Sequence, residues 1–217
     1  MPDFRQLRTT MVDTQVRPSD VTKFPIIAAM LDIPREDFVP DAQRDTAYVG
    51  GDISLGGSRV VLDPRTFSKM LDALAIENNE LVLDIGAGLG YSSAVIARMA
   101  QAVVALEENE EMAAQAASLL ADHGADNVVI EVGALQDGEE QHGLYDVVMI
   151  EGGVEEIPEA ILSQVKDGGR ICAVFLDGSL GAVRLGYKID GKMSWRMIFN
   201  ATAPVMNGFE AKRAFAL

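Results

Sequence analysis

The chain has 217 residues, enough for one α/β domain with a full hydrophobic core. It carries 33 acidic and 18 basic side chains, a net charge of −15, so we expect no nucleic-acid partner, because such partners require basic patches. No apolar run approaches the roughly 20 residues of a membrane span, and the first residues lack an apolar signal core, so we expect a cytoplasmic protein without a membrane partner. The single cysteine, Cys172, lies in an apolar strand candidate and is expected to be inert.

The first third of the chain is predicted to be helical, with one irregular segment. Apolar side chains at helical spacing predict helices over residues 3–16, 20–31 and 64–75. Ser19 could cap the second of these helices, and Pro64 favours the start of the third. Residues 48–62 contain four glycines and are predicted to form a loop with short extended pieces.

From residue 81 onward, strands and helices alternate. Strands are predicted at 81–85, 102–107, 128–132, 145–150 and 169–175, and helices at 90–99, 109–123 and 155–164. Near-continuous apolar strands alternating with helices indicate a parallel sheet covered on both faces. The segments 183–189 and 193–201 flank Asp190-Gly191, which is a strong hairpin signal. The sequence therefore predicts an α/β fold whose mostly parallel sheet is closed by an antiparallel C-terminal hairpin.

The segment from Leu81 to Tyr91 is the most informative part of the chain. Three apolar residues lead into Asp84, and glycines follow at positions 86, 88 and 90. This pattern predicts a buried strand, a tight turn and the start of a helix, with a backbone that a ligand can approach closely. The next strand ends at Glu107, whose carboxylate could accept hydrogen bonds from both hydroxyls of a ribose. Together these features predict a nucleoside site.

The spacing of the glycines favours S-adenosylmethionine over a dinucleotide. A dinucleotide fingerprint would place its third glycine at position 91, which is Tyr91. Asp84 would repel a pyrophosphate, whereas a carboxylate suits the ammonium group of S-adenosylmethionine. NAD, or a glycine-rich turn with no ligand, remain the alternatives.

The whole chain resembles the protein-L-isoaspartate O-methyltransferase family. The resemblance is carried, in order, by Arg8-x-x-Met-Val-x-x-Gln15, Ala29 to Pro40, Tyr48, the glycine loop with Tyr91, Asn127-Val, Tyr145-Asp146, Ile157-Pro158, Gly168-Gly-Arg170 and a tail ending Arg213-Ala-Phe215. It implies one domain with a Rossmann-like, S-adenosylmethionine-dependent methyltransferase fold, residues 1–76 forming N-terminal helices and a substrate loop and residues 77–217 the cofactor-binding core. It also implies methylation of isoaspartyl residues in damaged proteins, with no metal. The cofactor-binding residues would be Asp84, Gly86, Ala87, Gly88, Gly90, Tyr91, Glu107 and Ala134.

The chain departs from the family pattern at four positions. Counting back from Pro64, Val60 stands where the family has a threonine, and Leu62 where it has the serine implicated in catalysis. Ala134 stands in place of an acid whose carboxylate can accept from the adenine amino group. Glu151 stands in place of a threonine and would bring a carboxylate into the ligand crevice.

These departures leave the catalytic residues open. Arg59 could hold a substrate carboxylate with two hydrogen bonds, could be a surface arginine of the loop, or could pair with Glu151 and leave no anion site. We therefore expect either isoaspartyl methylation with reduced rate, methylation of another small or peptide acceptor, or S-adenosylmethionine binding without catalysis. An NAD-dependent oxidoreductase is disfavoured by Tyr91.

Overall fold

A seven-stranded sheet forms the centre of the computed structural model, which describes residues 2–211. Its strands are β3 (Leu81–Ile85), β4 (Ala102–Glu107), β5 (Val128–Val132), β6 (Tyr145–Val154), β7 (Val165–Asp177), β8 (Leu180–Ile189) and β9 (Lys192–Asn200). Their order in the sheet is β5-β4-β3-β6-β7-β8-β9. The strands from β3 to β7 pair in parallel, and β8 and β9 pair antiparallel. The predicted fold class, including the closing hairpin, is confirmed.

The helices and a small hairpin complete the described part of the chain. The helices are α1 (Phe4–Met11), α2 (Phe24–Asp32), α3 (Pro64–Leu74), α4 (Tyr91–Ala97), α5 (Glu110–Asp122) and α6 (Glu159–Gln164). The hairpin consists of β1 (Ile53–Gly56) and β2 (Arg59–Val61), within the segment predicted to be a loop with extended pieces. Between residues 2 and 211, no helix is long and apolar enough to cross a membrane.

Three of the helix predictions were wrong in detail. The first predicted helix ends at Met11 and continues as a π-helical turn over Val12–Val16. Ser19 does not cap the second helix, because its hydroxyl donates to the Gln15 carbonyl, at 2.7 Å, and α2 starts only at Phe24. Helix α6 starts later than predicted, since the amides of residues 155 and 156 donate to the Phe209 carbonyl instead of entering a helix.

A buried polar network joins the N-terminal helices to the segment that precedes the small hairpin. Arg8 donates to the Tyr48 hydroxyl at 2.9 Å and to Glu36 at 3.1 Å, and the Tyr48 hydroxyl also donates to Glu36. Arg35, fully buried, donates to the carbonyls of Ala47 and Leu62, each at 2.8 Å. Because residues of the N-terminal helices share one buried apolar cluster with residues of the sheet, this network holds the N-terminal segment over one face of the sheet. The predicted boundary at residue 76 falls in the loop between α3 and β3.

Candidate ligand-binding site

The candidate site lies where the strand order of the sheet reverses. Strand β3 pairs with β4 on one side and with β6 on the other, so the chain winds outward in both directions from β3 and β6. In parallel sheets, ligands bind in the crevice outside the carboxyl ends of the strands at such a point. The loop 86–90 leaves β3 here, Glu107 ends β4, and Glu151 lies in the last third of β6.

The three glycines of the loop have backbone conformations that favour glycine, with φ of 87° at Gly86, 58° at Gly88 and 93° at Gly90. They serve different purposes. A Cβ on Gly90 would lie 3.3 Å from the Ala116 Cβ, so this glycine lets helix α5 approach the loop. Cβ atoms on Gly86 and Gly88 would instead point into the crevice, toward Arg59 and Leu55.

Asp84 is fully buried and holds the loop to the helix that follows it. One carboxylate oxygen accepts from the hydroxyls of Ser92, at 2.6 Å, and Ser93, at 2.5 Å. The other oxygen has no hydrogen-bond partner among the described residues. Burial raises the pKa of Asp84 to about 6, although the two serine hydroxyls oppose the shift. The sequence did not suggest this contact with α4, and the predicted contact of Asp84 with a ligand ammonium stays a prediction.

Glu107, also fully buried, accepts four hydrogen bonds. The two terminal nitrogens of Arg59 donate to its two carboxylate oxygens, at 2.9 and 2.8 Å. The backbone amides of Gly88 and Asn109 donate to the same oxygens, at 2.7 and 3.0 Å. The expectations that Arg59 is a surface residue or pairs with Glu151 were wrong, because its side chain is buried and its ion pair is with Glu107, 48 positions away in sequence.

Two further side chains fill the crevice next to this ion pair. A Cβ on Gly88 would lie 2.5 Å from Cδ1 of Leu55, which belongs to the same small hairpin as Arg59. A Cβ on Gly86 would lie 3.3 Å from the sulfur of Met206. A cavity of about 390 Å³ remains between the hairpin and the segment that follows β4, lined among others by Ser58, Glu108 and Met112.

Three of the positions at which the chain departs from the family pattern are buried. Val60 and Leu62 are buried in the core that the N-terminal helices share with the sheet. Glu151 is buried on the same face, and its carboxylate makes no hydrogen bond within residues 2–211. Burial, and then the nearby negative charge of Asp84, raise the pKa of Glu151 well above its ordinary value.

Three other predicted site residues belong to the core, to the protein surface and to the loop backbone. The Tyr91 ring packs against the rings of Phe38 and Phe67, at 6.1 and 5.5 Å between centroids, and is fully buried. Its side chain therefore belongs to the core. Ala134 follows β5 and is exposed, and its side chain has no polar group to offer a ligand. Ala87 is buried in the loop, and its amide donates to the Leu106 carbonyl.

The arrangement resembles known proteins in both sequence and fold. Residues 8–194 match the family described as protein-L-isoaspartate(D-aspartate) O-methyltransferase. A protein-L-isoaspartate O-methyltransferase from Syntrophus aciditrophicus is 34% identical over 171 residues, which are 79% of this chain and 78% of that protein. One from Methylorubrum extorquens is also 34% identical, over 79% of this chain and 75% of its own.

Solved structures show the same fold. A protein-L-isoaspartate O-methyltransferase covers 94% of this chain with a TM-score of 0.78 at 23% identity, and this chain spans 65% of that one. A Plasmodium falciparum protein described as such a methyltransferase, solved with S-adenosyl-L-homocysteine, covers 94% of this chain with a TM-score of 0.78 at 15% identity. With the sequence match over most of its length, the chain belongs to the protein-L-isoaspartate O-methyltransferase family.

Proposed function

We propose that this chain transfers a methyl group from S-adenosylmethionine to the free carboxylate of isoaspartyl residues in proteins. The observation that carries the proposal is the glycine loop 86–90 beside the Glu107 carboxylate at the reversal point of the sheet. This pairing of loop and acid lies within the residues that match the family.

The residues around the loop fit a nucleoside with a charged amino-acid tail. Glu107 would accept from the ribose hydroxyls, and Gly86, Ala87 and Gly88 would let the ligand lie against the backbone. Asp84 would offer its unpartnered oxygen to a cationic group. At present Arg59 and Leu55 occupy part of this space, so the fit requires the hairpin β1–β2 to move outward.

The reaction requires no side chain of the protein to react chemically. Bound S-adenosylmethionine supplies a methyl group on a positively charged sulfur. A free carboxyl group titrates near 4, so the acceptor is already ionised at neutral pH and no general base is needed. The chain's own residues act by binding, orienting and excluding water.

The acceptor side of the site predicts a slow enzyme. Val60 and Leu62 cannot donate a hydrogen bond to a carboxylate, and desolvating an ion without partners is unfavourable. Glu151 would repel an anionic acceptor whenever it is ionised. Losing one positioning donor typically lowers a rate by a factor on the order of a hundred to a thousand.

A methyl-transfer assay tests the proposal. Labelled S-adenosylmethionine is incubated with an isoaspartyl peptide and, in parallel, with the same peptide containing normal aspartate. We expect label only in the isoaspartyl peptide, and no label with Gly88→Val, whose branched Cβ would enter the crevice beside the loop. Equal labelling of both peptides, or none by a folded protein that binds S-adenosylmethionine, would contradict the proposed acceptor.

A second candidate function is methyl transfer to an acceptor that must first lose a proton, such as an amine or a hydroxyl. The observation in its favour is Glu151, a buried carboxyl group without hydrogen-bond partners on the acceptor side and with a raised pKa, as a general base requires. The stability of the methylated product separates the two. A methyl ester releases its label at alkaline pH, whereas a methylated amine or ether keeps it.

A further inference from the structure

We propose that the hairpin β1–β2 is a latch on the methyl-donor site, and that Arg59 competes with the donor's ribose for Glu107. The inference rests on the proposed function and concerns how that site is regulated.

The hydrogen bonds of Glu107 leave no room for a ribose while Arg59 is in place. A carboxylate offers about four lone-pair sites. All four are used, two by the Arg59 guanidinium and two by the backbone amides of Gly88 and Asn109. The amides belong to the framework of the site, whereas the guanidinium is a movable side chain. Two ribose hydroxyls can therefore bind to Glu107 only after Arg59 has left.

The same hairpin also covers the glycine loop. Leu55 lies over Gly88, so close that even a methyl group on this glycine would overlap with it. Arg59 and Leu55 stand on the two strands of one hairpin, β2 and β1. A single outward movement of the hairpin would therefore free both the acceptor oxygens and the backbone of the loop.

The hairpin has open space around its tip, whereas its base is held by hydrogen bonds. At the tip, Gly56 and Gly57 have φ of 103° and 55°, and Cβ atoms added there would meet open space. At the base, the Leu62 carbonyl accepts from buried Arg35, and the Asp63 amide donates to Asp52 at 2.8 Å. The tip can thus swing while the base keeps its register.

A second acidic residue, Glu108, offers Arg59 another carboxylate with which to pair when the hairpin moves outward. Glu108 lies 3.6 Å from Nη1 of Arg59, and its side chain is 32% exposed, whereas that of Glu107 is fully buried. Moving outward, the guanidinium would exchange a buried carboxylate for one nearer the solvent. It would not have to remain without a counter-charge at any point.

The latch lowers the apparent affinity for the donor. When only a minor fraction of the protein is open, the measured Kd is the intrinsic Kd divided by that fraction. Minor conformations are typically populated at about 0.1–10%. Removing the latch is therefore expected to tighten binding by roughly ten- to a thousandfold.

The test compares S-adenosylhomocysteine binding by calorimetry to the wild type, Arg59→Gln and Arg170→Gln. Glutamine keeps a hydrogen-bond donor near Glu107 but loses the charge and the two-pronged contact. Arg170→Gln is the matched control, because Arg170 forms the same two-pronged pair with Glu80, at 2.7 and 2.8 Å, away from the crevice. Circular dichroism and thermal unfolding confirm that each variant is folded.

We expect Arg59→Gln to bind at least about tenfold more tightly than the wild type, and Arg170→Gln to bind like the wild type. Equal or weaker binding by Arg59→Gln, beside a wild type that binds the ligand and methylates an isoaspartyl peptide, would overturn the latch and leave the proposed function standing. Equal tightening in both variants would also overturn it. Failure of all three folded proteins to bind would overturn both the latch and the proposed function.

Discussion

Glu151 is a residue whose side chain conflicts with its surroundings. Its carboxyl group is buried next to the acidic Asp84 and accepts no hydrogen bond from any described residue. A raised pKa means that the folded protein holds this proton at pH values where the unfolded chain has released it. Stability is therefore lost as the pH rises from about 4.3, the ordinary value of a glutamate, through the higher pKa of the folded state.

Replacing Glu151 with glutamine is expected to stabilise the protein at high pH. The variant cannot ionise at this position, so its free energy of unfolding should exceed that of the wild type by roughly 1–3 kcal/mol at pH 8. At pH 4, where Glu151 is mostly protonated in both states of the wild type, the difference should be small. Urea unfolding at a series of pH values measures the free energy of unfolding of both proteins. A difference between them that does not change with pH would contradict the prediction.

Ala134 allows a test of the adenine end of the site. It is exposed just after β5, and its side chain accepts nothing. In Ala134→Asp, a carboxylate would be available to the adenine amino group, and we expect binding of S-adenosylhomocysteine to tighten by a factor of about ten, the effect of one hydrogen bond to a charged group. Calorimetry of the two proteins decides it. Unchanged or weaker binding would mean that another acceptor serves the adenine.

The sequence predicted which residues surround the site, but not which side chains fill it. The glycines, Asp84 and Glu107 are close in sequence to strands with clear periodicity, so their common location follows from a parallel sheet. The pair of Arg59 with Glu107 joins residues 48 positions apart, and no local pattern signals it. The apolar residues Val60, Val61 and Leu62 directly after Arg59 indicate a segment that lies in the core. This was the signal in the sequence that the Arg59 side chain would be buried.

Among the elements, those with strong periodicity were predicted best. Strand β5 has the predicted bounds, and the closing hairpin turns at Asp190 and Gly191 as expected. The N-terminal segment was harder, since its π-helical turn has no sequence signature distinct from an ordinary helix. The tail ending Arg213-Ala-Phe215, which forms the last part of the family resemblance, lies outside the described residues.

The packing of the glycine loop against helix α5 can be tested with a pair of substitutions. Gly88→Ala and Gly90→Ala should each lose about 1–2 kcal/mol, because alanine is strained at positive φ. Gly90→Ala should lose more, since its Cβ would press on Ala116 of a packed helix, whereas Gly88→Ala meets only the end of the flexible Leu55 side chain. Chemical unfolding of both variants measures the order, and the reverse order would contradict this account of the packing.

At the scale of the whole molecule, the net charge of −15 should select among substrates. A field of this sign repels acidic peptides and attracts basic ones, and salt weakens both effects. Two isoaspartyl peptides that differ only in having basic or acidic flanking residues provide the comparison. At low ionic strength, kcat/KM for the basic peptide should exceed that for the acidic peptide by about tenfold or more. The ratio should fall toward one as salt is added. Equal values that do not respond to salt would contradict long-range steering.

Cys172, the single cysteine of the chain, allows opening of the central sheet to be measured by thiol labelling. It lies in β7 between Met149 of β6 and Leu185 of β8, and burial raises the pKa of its thiol. A thiol reagent can therefore reach a reactive thiolate only in molecules whose sheet has come apart. We expect labelling under native conditions to be slower than in urea by orders of magnitude, and slower still with a bound ligand that stabilises the fold. Labelling at the rate of a free thiol, with the circular dichroism of the sheet intact, would show that β7 opens locally.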